Sequence, residues 1–205
     1  MVKLIDYETA SNLLLKYNIK VVESRYLSDA KAAVKFADGK PITLKVISQK
    51  ALHKTKSGLI ELNLYTDDQI KDAYAKLSVK AEGLRPYKIL GQSMIKNGIE
   101  IIIGGNTDPQ FGKLVLIGLG GIYVETFKDT ALRVCPITRD DAGLMIDQLR
   151  SGLIIAPNSK AKKMLEDILL SASKMFYEND IVELDLNPVI LHDDTYDVVD
   201  IRILK

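Results

Sequence analysis

The sequence predicts an α+β protein that folds as two lobes, and three observations lead to this class. Apolar residues recur at helical spacing in several segments, strand-like apolar runs are concentrated after Gly83 and Pro86, and Gly or Pro separates most of these runs. A helical period and short strand runs bounded by turn residues indicate helices and a sheet in one chain. The 205 residues are 47% hydrophobic and 27% charged, so the chain can bury a core without disulfides or a structural metal.

The part of the chain before Gly83 has alternating helix and strand patterns. Asp6 and Thr66 stand where helix-capping residues are expected, and Thr66 with Gln69 has the form of a capping box. The predicted elements are a helix after Asp6, a short helix after Ser28, a strand at 42–47, a loop at 48–58, a strand at 59–64 and a helix from Thr66 to about Lys80. We expect this part to be βαβ-like.

The part after Pro86 is richer in strands. The predicted elements are strands at 88–95, 99–103, 113–117, 122–126 and 132–134, helices at 138–150 and 160–177, and strands at 181–191 and 197–204. Because the pattern changes near residues 84–93, we expect a hinge there. The predicted organisation is one domain over 1–205, with a smaller lobe at about 19–93 and a larger lobe at about 94–205 that the helix at 1–18 joins.

Charge and composition argue against several classes of protein. The 28 basic and 27 acidic side chains leave a net charge of +1, whereas binding of nucleic acid by bulk charge needs a concentrated basic surface. The apolar run at 114–124 is too short and too rich in glycine to span a bilayer as a helix. The single cysteine, Cys135, and an N-terminal segment without a signal-peptide pattern predict a cytoplasmic protein that binds neither nucleic acid nor membrane.

Two glycine-rich segments resemble phosphate-binding loops without matching them. Six residues separate Gly105 from Gly112, where a Walker A loop has four, and Leu114 stands where Ser or Thr is needed. The segment 118–121 lacks the third glycine and the following helix of the dinucleotide fingerprint. Its glycines could bring backbone N–H groups close to an anion or a partner, and a plain tight turn explains them equally well.

Two charged residues interrupt apolar strands. Lys45 lies within the strand at 42–47, where an unpaired charge is costly to bury. It is either a fixed cation for ligand phosphates or a lysine whose ammonium group reaches solvent at a sheet edge. Glu100 interrupts the apolar run at 99–103, where a carboxylate suits a hydroxyl or cation ligand or faces solvent from a half-buried strand.

The two histidines have different neighbours. His53 lies in a loop with several lysines, which would disfavour protonation of the imidazole and attract phosphate. A nucleophilic histidine is one interpretation, and a bystander on an exposed loop is the more common one. His192, beside Asp193 and Asp194, has the pattern of a solvated turn.

The C-terminal segments place polar side chains on one face of a predicted hairpin. Alternation puts Glu183, Asp185 and Asn187 on one face of their strand, and Asp200 and Arg202 on one face of the next. A four-residue turn between the strands sets Asn187 opposite Asp200 and Asp185 opposite Arg202. Opposed Cβ atoms are about 5 Å apart, so Asn187 and Asp200 could hold one Mg²⁺ together with phosphates and water. An amphipathic hairpin with a wet polar face fits the pattern equally well.

Several motifs occur in the order that one family shows. They are Lys45 in its strand, Leu52-His53-Lys54-Thr55, Asp108-Pro109-Gln110-Phe111-Gly112, Gly118-Leu119-Gly120-Gly121-Ile122-Tyr123-Val124-Glu125, Lys128-Asp129, Arg133 and Glu183-Leu184-Asp185-Leu186-Asn187-Pro188. Over nearly its whole length the chain resembles the ATP-grasp β subunit of ADP-forming acyl-CoA synthetases of the acetate–CoA ligase type, within the succinyl-CoA synthetase superfamily. The combination of motifs is specific, although no single one suffices.

The resemblance implies a two-lobed ATP-grasp fold, a ligase activity with ATP/ADP and Mg²⁺, and a separate CoA-binding α subunit, expected in a heterotetramer. In such enzymes an acyl phosphate phosphorylates a histidine of the α subunit, and the phosphoryl group passes to ADP on the β subunit. The residues carried over by position are Lys45, Gln92, Ser93, Met94, Ile95 and Glu100 for the nucleotide, Asn187 and Asp200 for Mg²⁺, His53 as a phosphate-carrying loop histidine, and Glu125 and Arg133 near the transferring phosphate.

The loop after His53 departs from the family pattern. Lys56 replaces an acid, Ser57 a valine and Leu59 the second glycine, and leucine restricts φ where glycine is free. Two alternatives therefore stay open, a noncatalytic subunit that binds nucleotide or only scaffolds its partner, and a different ATP-grasp ligase. The sequence does not identify the carboxylic acid, because the resemblance places its pocket on the α subunit, and it does not distinguish ATP from GTP.

Overall fold

The computed structural model describes residues 2–48, 50, 58–121, 129–192 and 195–205. It confirms the α+β class, because 39% of the residues are helical and 34% lie in strands. The helices are α1 Tyr7–Lys16, α2 Ala30–Ala37, α3 Asp67–Ala81, α4 Arg139–Gln148, α5 Gly152–Ile155 and α6 Ser159–Glu178. The strands are β1 Ser24–Leu27, β2 Ile42–Ile47, β3 Ile60–Leu64, β4 Lys88–Ser93, β5 Ile99–Asp108, β6 Gly112–Leu119, β7 Thr130–Val134, β8 Glu183–His192, β9 Thr195–Val198 and β10 Ile201–Leu204. Within these ranges, no helix combines the length and the apolar character needed to cross a membrane.

The chain divides into two compact units. The small unit comprises residues 22–96, and the large unit comprises residues 1–21 together with 97–205. The smaller lobe expected from the sequence begins at about 19 and ends at about 93, so each of these boundaries differs by three residues from that of the small unit.

The small unit is an antiparallel sheet with helices α2 and α3 packed on it. The strand order is β1-β4-β2-β3, and every pairing in it is antiparallel. Strands β1 and β2 are both antiparallel to β4 and so run parallel to each other, joined by α2, and β3 and β4 are likewise parallel and joined by α3. The βαβ-like expectation is therefore confirmed as two split βαβ units, in each of which a third strand lies between the two parallel ones. Strand β1 has no apolar alternation and buries only Leu27, which explains why the sequence pattern does not reveal it.

Side-chain caps fix the starts of both helices in the small unit. The Thr66 hydroxyl accepts a hydrogen bond from the Gln69 N–H at 3.3 Å, and the Gln69 side-chain oxygen accepts one from the Thr66 N–H at 3.2 Å. This reciprocal pair is the predicted capping box. Asp29 begins α2 in a related way, because its carboxylate accepts from the Ala32 N–H at 2.8 Å. The caps satisfy N–H groups that have no partner inside the helix.

The large unit is built on a six-stranded antiparallel sheet. Its order is β10-β8-β5-β6-β7, and β9 also pairs with β8. Helix α6 covers β5 and β6 with a buried stripe that runs from Ala161 to Phe176. The Lys113 ammonium on β6 donates to the Phe176 carbonyl at 2.6 Å, so the end of α6 is fastened to the sheet.

The last predicted strand is in fact two strands, β9 and β10. They are separated by Val199 and Asp200, and they pair with different halves of β8. Pro188 lies in β8 at this point and has no N–H to donate, so the ladder cannot run through it without interruption. Its carbonyl still accepts from the Val199 N–H at 3.0 Å.

Candidate functional site

Lys45 is a buried cation in the interior of the small unit's sheet. The residue is 8% exposed, and its partners on the neighbouring strands are Leu90 and Ile60. Because β2 lies between β4 and β3, Lys45 is not on an edge strand, and the alternative in which its ammonium group reaches solvent at a sheet edge is wrong. Its assignment as a fixed cation for ligand phosphates stays a prediction.

The segment 92–95, which is expected near the adenine, lies at the end of β4 and of the small unit. Gln92 is 1% exposed, whereas Ser93, Met94 and Ile95 are half-buried. The N–H groups of Ser93 and Met94 donate to backbone carbonyls of the same unit at 2.9 and 3.0 Å. Because the Gln92 side chain is buried, the residues after it are better placed than Gln92 to offer side chains to a ligand.

Glu100 is the second residue of β5 in the large unit. It is exposed, and in the described part of the chain its carboxylate has no hydrogen bond or ion pair. An ionised carboxylate can only accept hydrogen bonds. Glu100 can therefore accept from a hydroxyl group or bind a cation, as the sequence predicts, without losing a partner among the described residues.

The glycine segment 118–121 folds back onto the start of β5. The Gly120 N–H donates to the Glu100 carbonyl at 2.7 Å, and the Leu119 N–H donates to the Asp129 carbonyl at 3.2 Å. Both N–H groups are thus occupied by the protein itself. Of the two explanations left open by the sequence, close packing in a turn accounts for these groups, and an anion would have to displace protein hydrogen bonds to reach them.

The predicted register of the C-terminal hairpin is confirmed. Asp185 on β8 pairs with Arg202 on β10. The Asn187 N–H donates to the Asp200 carbonyl at 3.3 Å, so these two residues lie opposite each other. Strands β8 and β9 pair one residue closer to the turn than expected, which shortens the turn and leaves the register unchanged.

Asn187 and Asp200 offer oxygen donors at this position. Asn187 is exposed and Asp200 is half-buried, and one Asp200 carboxylate oxygen accepts from the Ile201 N–H at 3.2 Å. Amide and carboxylate oxygens suit Mg²⁺. Across the described ranges there is no cluster of three or more His, Cys, Asp or Glu residues that could hold a metal. An ion held by this pair would therefore complete its ligands with phosphate oxygens and water, and the assignment stays a prediction.

Of the three residues that the resemblance assigns to phosphoryl transfer, Arg133 is the one in the described part. Its guanidinium donates to the Gln148 side-chain oxygen at 2.9 Å and to the Leu132 carbonyl at 2.8 Å. These contacts join β7 to the end of α4. His53 and Glu125 lie outside the described residues.

Leu59, which stands where the family has a glycine, packs against the core of the small unit. Its carbonyl accepts from the Val46 N–H at 2.9 Å. Gly58, the preceding residue, has a positive φ of 88°. The substitution therefore adds apolar packing beside β2, and a left-handed glycine is retained at the position before it.

Asp129 has a structural role that the sequence does not predict. Its carboxylate accepts from the N–H groups of Arg150 and Ser151, both at 2.8 Å, and the residue is 9% exposed. Burial alone would raise the pKa of Asp129, but the hydrogen bonds from Ser151 and Arg150 hold that pKa below its usual value. The residue fastens the start of β7 to the turn between α4 and α5. Its place in the motif Lys128-Asp129 is the only sequence signal for it.

The small unit also has an open pocket of about 790 Å³. Its lining includes Tyr26, Tyr74, Tyr87 and the segment 85–89. This lining includes the start of β4, whereas the segment 92–95 lies at the end of that strand. Among the predicted site residues that the structure describes, none lines the pocket.

Comparison with known proteins finds relatives over nearly the whole chain. A family model described as an ATP-grasp domain matches residues 2–204. The chain is 32% identical over 206 residues to the acetate–CoA ligase (ADP-forming) I subunit beta of Pyrococcus furiosus, which covers 95% of this chain and 89% of that one. It is 34% identical over 201 residues to the II subunit beta of the same organism, with 92% and 85% covered. Acetate–CoA ligase (ADP-forming) II of Archaeoglobus fulgidus is 32% identical over 208 residues, which are 98% of this chain and 30% of that one.

Solved structures with the same fold include complexes with ligands. ACD1 of Ca. Korarchaeum cryptofilum in complex with coenzyme A has a TM-score of 0.88 at 32% identity, with 99% of this chain and 94% of that chain covered. A dinucleotide forming acetyl-coenzyme A synthetase 1 of that organism contains coenzyme A and Mg-AMPPCP, and its phosphohistidine segment points towards the nucleotide binding site. It has a TM-score of 0.82 at 32% identity, with 98% and 92% covered. These similarities include both units of the chain.

Proposed function

The chain belongs to the ATP-grasp β subunits of ADP-forming acetate–CoA ligases, and we propose from this that it binds Mg-ATP or Mg-ADP and exchanges a phosphoryl group with a phosphohistidine of an α subunit. The expected ATP-grasp fold is confirmed, and the relatives are ligases. The proposed overall reaction joins acyl-CoA, ADP and phosphate to give a carboxylic acid, CoA and ATP.

The proposed chemistry is divided between two proteins. On the α subunit, phosphate displaces CoA from the acyl group, and the acyl phosphate then transfers its phosphoryl group to a histidine nitrogen and releases the acid. On the chain described here, a terminal phosphate oxygen of ADP attacks the phosphohistidine. The N–P bond breaks as the new P–O bond of ATP forms, and the electron pair of the broken bond returns to the imidazole. The reverse sequence consumes ATP.

The opposed pair of Asn187 and Asp200 is the observation that carries this proposal. The register between β8 and β10 brings an amide and a carboxylate to one place in the sheet. Two protein oxygens are a weak site alone, so they suit an ion that arrives with nucleotide phosphates. When bound, Mg²⁺ would neutralise charge on the phosphates. The residues present therefore fit the metal that appears with AMPPCP in the relative from Ca. Korarchaeum cryptofilum.

The remaining nucleotide contacts are proposed for Lys45, for Glu100 and for the segment 92–95. Lys45 is buried on an interior strand, and a cation in a poorly solvated place attracts phosphate more strongly than one in water. Glu100 is proposed to accept a hydrogen bond from a nucleotide hydroxyl. The segment 92–95, at the end of the small unit, is proposed to lie against the adenine.

A CoA-binding α subunit is the proposed partner. The Archaeoglobus fulgidus relative is a single longer chain of which this chain matches 30%, and its other parts are long enough to carry the CoA and acyl sites that the motifs of this chain do not supply. The Pyrococcus furiosus relatives are named as beta subunits. We propose a heterotetramer of two such pairs in the cytoplasm.

A second candidate is a noncatalytic subunit that binds nucleotide or only scaffolds its partner. The observation that favours it is Leu59, which fills the place of a family glycine and packs against the core. In this candidate the chain binds ATP, or only the partner, and transfers no phosphoryl group.

The decisive experiment combines the chain with a CoA-binding α subunit encoded in the same genome. ADP formation that depends on acid and CoA is measured for each protein alone and for the pair, and we expect activity only in the pair. His53→Ala should abolish it, because His53 is proposed to carry the phosphoryl group between the α subunit and the nucleotide. The matched variant His192→Gln, which keeps a hydrogen-bonding side chain beside Asp197, should retain it. Substantial activity of the chain alone would instead favour a different ATP-grasp ligase. A stable but inactive pair that binds ATP would favour the noncatalytic candidate.

A further inference from the structure

We propose that Gly121 is a positioning residue for Glu100, because the absence of a side chain at position 121 sets the place of the Glu100 carboxylate. This inference deepens the proposed function and rests on the nucleotide role assigned there to Glu100. It also gives the second of the two adjacent glycines in the motif Gly118-Leu119-Gly120-Gly121 a task other than binding phosphate.

Gly121 lies directly against the Glu100 carboxylate. A Cβ atom on Gly121 would lie 3.1 Å from Glu100 Oε2, which is shorter than an ordinary Cβ contact of 3.4–4 Å. The φ of Gly121 is 72°, a conformation that disfavours most side chains. Alanine at this position would therefore displace the carboxylate by a few tenths of an ångström.

Gly120 fixes the backbone of Glu100 rather than its side chain. A Cβ atom on Gly120 would lie 2.8 Å from the Glu100 carbonyl carbon and 2.9 Å from its oxygen. That oxygen accepts the Gly120 N–H at 2.7 Å, so the close approach is part of the hydrogen bonding at the end of the β5–β6 ladder. The two glycines thus have separate tasks, with the backbone set by the first and the carboxylate by the second.

The position of the Glu100 carboxylate depends on the space that its neighbours leave. In the described ranges no hydrogen bond or ion pair fixes that carboxylate, although the residue is exposed. The space at Gly121 allows a carboxylate position that a side chain there would occupy. From this position Glu100 is available to a hydroxyl or cation.

The test compares two glycines that share a left-handed backbone but differ in their neighbours. Gly112 has a φ of 76°, and a Cβ atom there would meet nothing within 4 Å. Gly112→Ala is therefore the control for Gly121→Ala, since both bear the cost of a positive φ. Glu100→Gln and the double variant Glu100→Gln with Gly121→Ala complete the set, and Gly121→Asn is a second variant that tolerates this φ.

Two readouts separate the positioning from the nucleotide role. The first is the carboxyl carbon NMR signal of Glu100, assigned by its loss in Glu100→Gln, and the second is ATP affinity by calorimetry. We expect Gly121→Ala and Gly121→Asn to shift the Glu100 signal and to weaken ATP binding several-fold, and Gly112→Ala to do neither. In the Glu100→Gln background, Gly121→Ala should weaken ATP binding no further.

An unchanged Glu100 signal in the folded Gly121 variants would overturn the inference. So would a loss of ATP affinity in Gly121→Ala that persists in the Glu100→Gln background, because Gly121 would then act through another group. A shifted signal combined with wild-type ATP affinity in Glu100→Gln would uphold the positioning and refute the nucleotide role of Glu100.

Discussion

Lys45 and Asp129 are two charged residues whose roles depend on their surroundings. Both are largely buried, at 8% and 9% exposure, and an unsatisfied charge at such a place is costly. Asp129 is satisfied by two backbone N–H groups of the same unit. Lys45 lies on a central strand of the small unit's sheet. We therefore assign a structural role to Asp129, whereas the nucleotide-binding role of Lys45 stays a prediction.

Substitution of Lys45 tests the binding role. Lys45→Met keeps most of the apolar length of the side chain and removes the charge, so the chain should still fold. We expect ATP affinity to fall by about 1.5–3 kcal/mol, the scale of a hydrogen bond to a charged group, which is roughly 10- to 100-fold in Kd. Calorimetry with ATP measures this, with Lys31→Met on the exposed face of α2 as the control. Equal ATP affinities for the wild type, Lys45→Met and Lys31→Met would mean that Lys45 does not bind the nucleotide.

Substitution of Asp129 tests the anchor and its dependence on pH. The pKa of Asp129 is lower in the folded chain than in the unfolded chain, so the carboxylate stabilises the fold above the unfolded pKa, and this stabilisation is lost as the pH falls through the folded value. We expect Asp129→Asn to lower the free energy of unfolding by about 1–3 kcal/mol at neutral pH. The difference from wild type should shrink below about pH 4.

Urea unfolding at neutral and acidic pH measures the difference for Asp129→Asn. Asp72→Asn, an exposed carboxylate on α3, is the control and should change little at either pH. A difference between Asp129→Asn and wild type that stays constant down to the lowest pH would mean that the carboxylate charge does not hold the turn.

At the scale of elements, strong local sequence patterns predicted helices and strand register correctly, whereas elements with weak patterns were not predicted. The capping box of α3 and the register of the C-terminal hairpin follow from residue types at fixed spacing, and both are confirmed. Strand β1 and the four-residue helix α5 were not predicted. Their residues carry too few apolar repeats to be recognised, since tertiary pairing rather than local preference forms a short edge strand.

The hairpin also shows where a local pattern is insufficient at this scale. Alternation predicts which side chains share a face, and that part of the prediction holds for Asn187 and Asp200. Alternation does not predict that Pro188 divides the last strand into β9 and β10. This division depends on which N–H groups of β8 donate to the neighbouring strand, and proline has none.

The cap of α3 offers a test of element stability. Thr66→Ala removes one side of the capping box, and we expect it to lower the free energy of unfolding of the chain by about 0.5–2 kcal/mol. Thr66→Ser retains the hydroxyl and should stay close to wild type. Thermal and urea unfolding of the three proteins measure the differences. If Thr66→Ala and Thr66→Ser are equally stable, the hydrogen bond to Gln69 does not stabilise the fold.

At the scale of the whole molecule, the division into units was easier to predict than the topology within them. The change of pattern after Gly83 suggested two parts, and the βαβ-like expectation for the first part is met, but the sequence does not show that in the order β1-β4-β2-β3 a third strand separates the two parallel strands of each βαβ unit. Strand order depends on contacts between residues far apart in the chain, which periodicity does not encode. The same limit applies to the candidate site, because its predicted residues belong to both units and only the hairpin pair could be tested by register.

We propose that this chain passes a phosphoryl group between nucleotide and the phosphohistidine of its partner, with Asn187 and Asp200 holding the required Mg²⁺. Asp200→Asn keeps the shape of the side chain and removes its charge, so folding should be retained. Asp180→Asn, an exposed carboxylate between α6 and β8, is the matched control.

The most direct measurement is the rate of phosphohistidine formation on the CoA-binding α subunit from ATP labelled in its γ-phosphate, at several Mg²⁺ concentrations. We expect the wild type and Asp180→Asn to label the α subunit equally. Asp200→Asn should be slower by about 100-fold or more, the scale of losing one group that stabilises developing charge, and it should need more Mg²⁺. Equal rates and equal Mg²⁺ dependence for Asp200→Asn and wild type, or no labelling by any of the three, would contradict the claim.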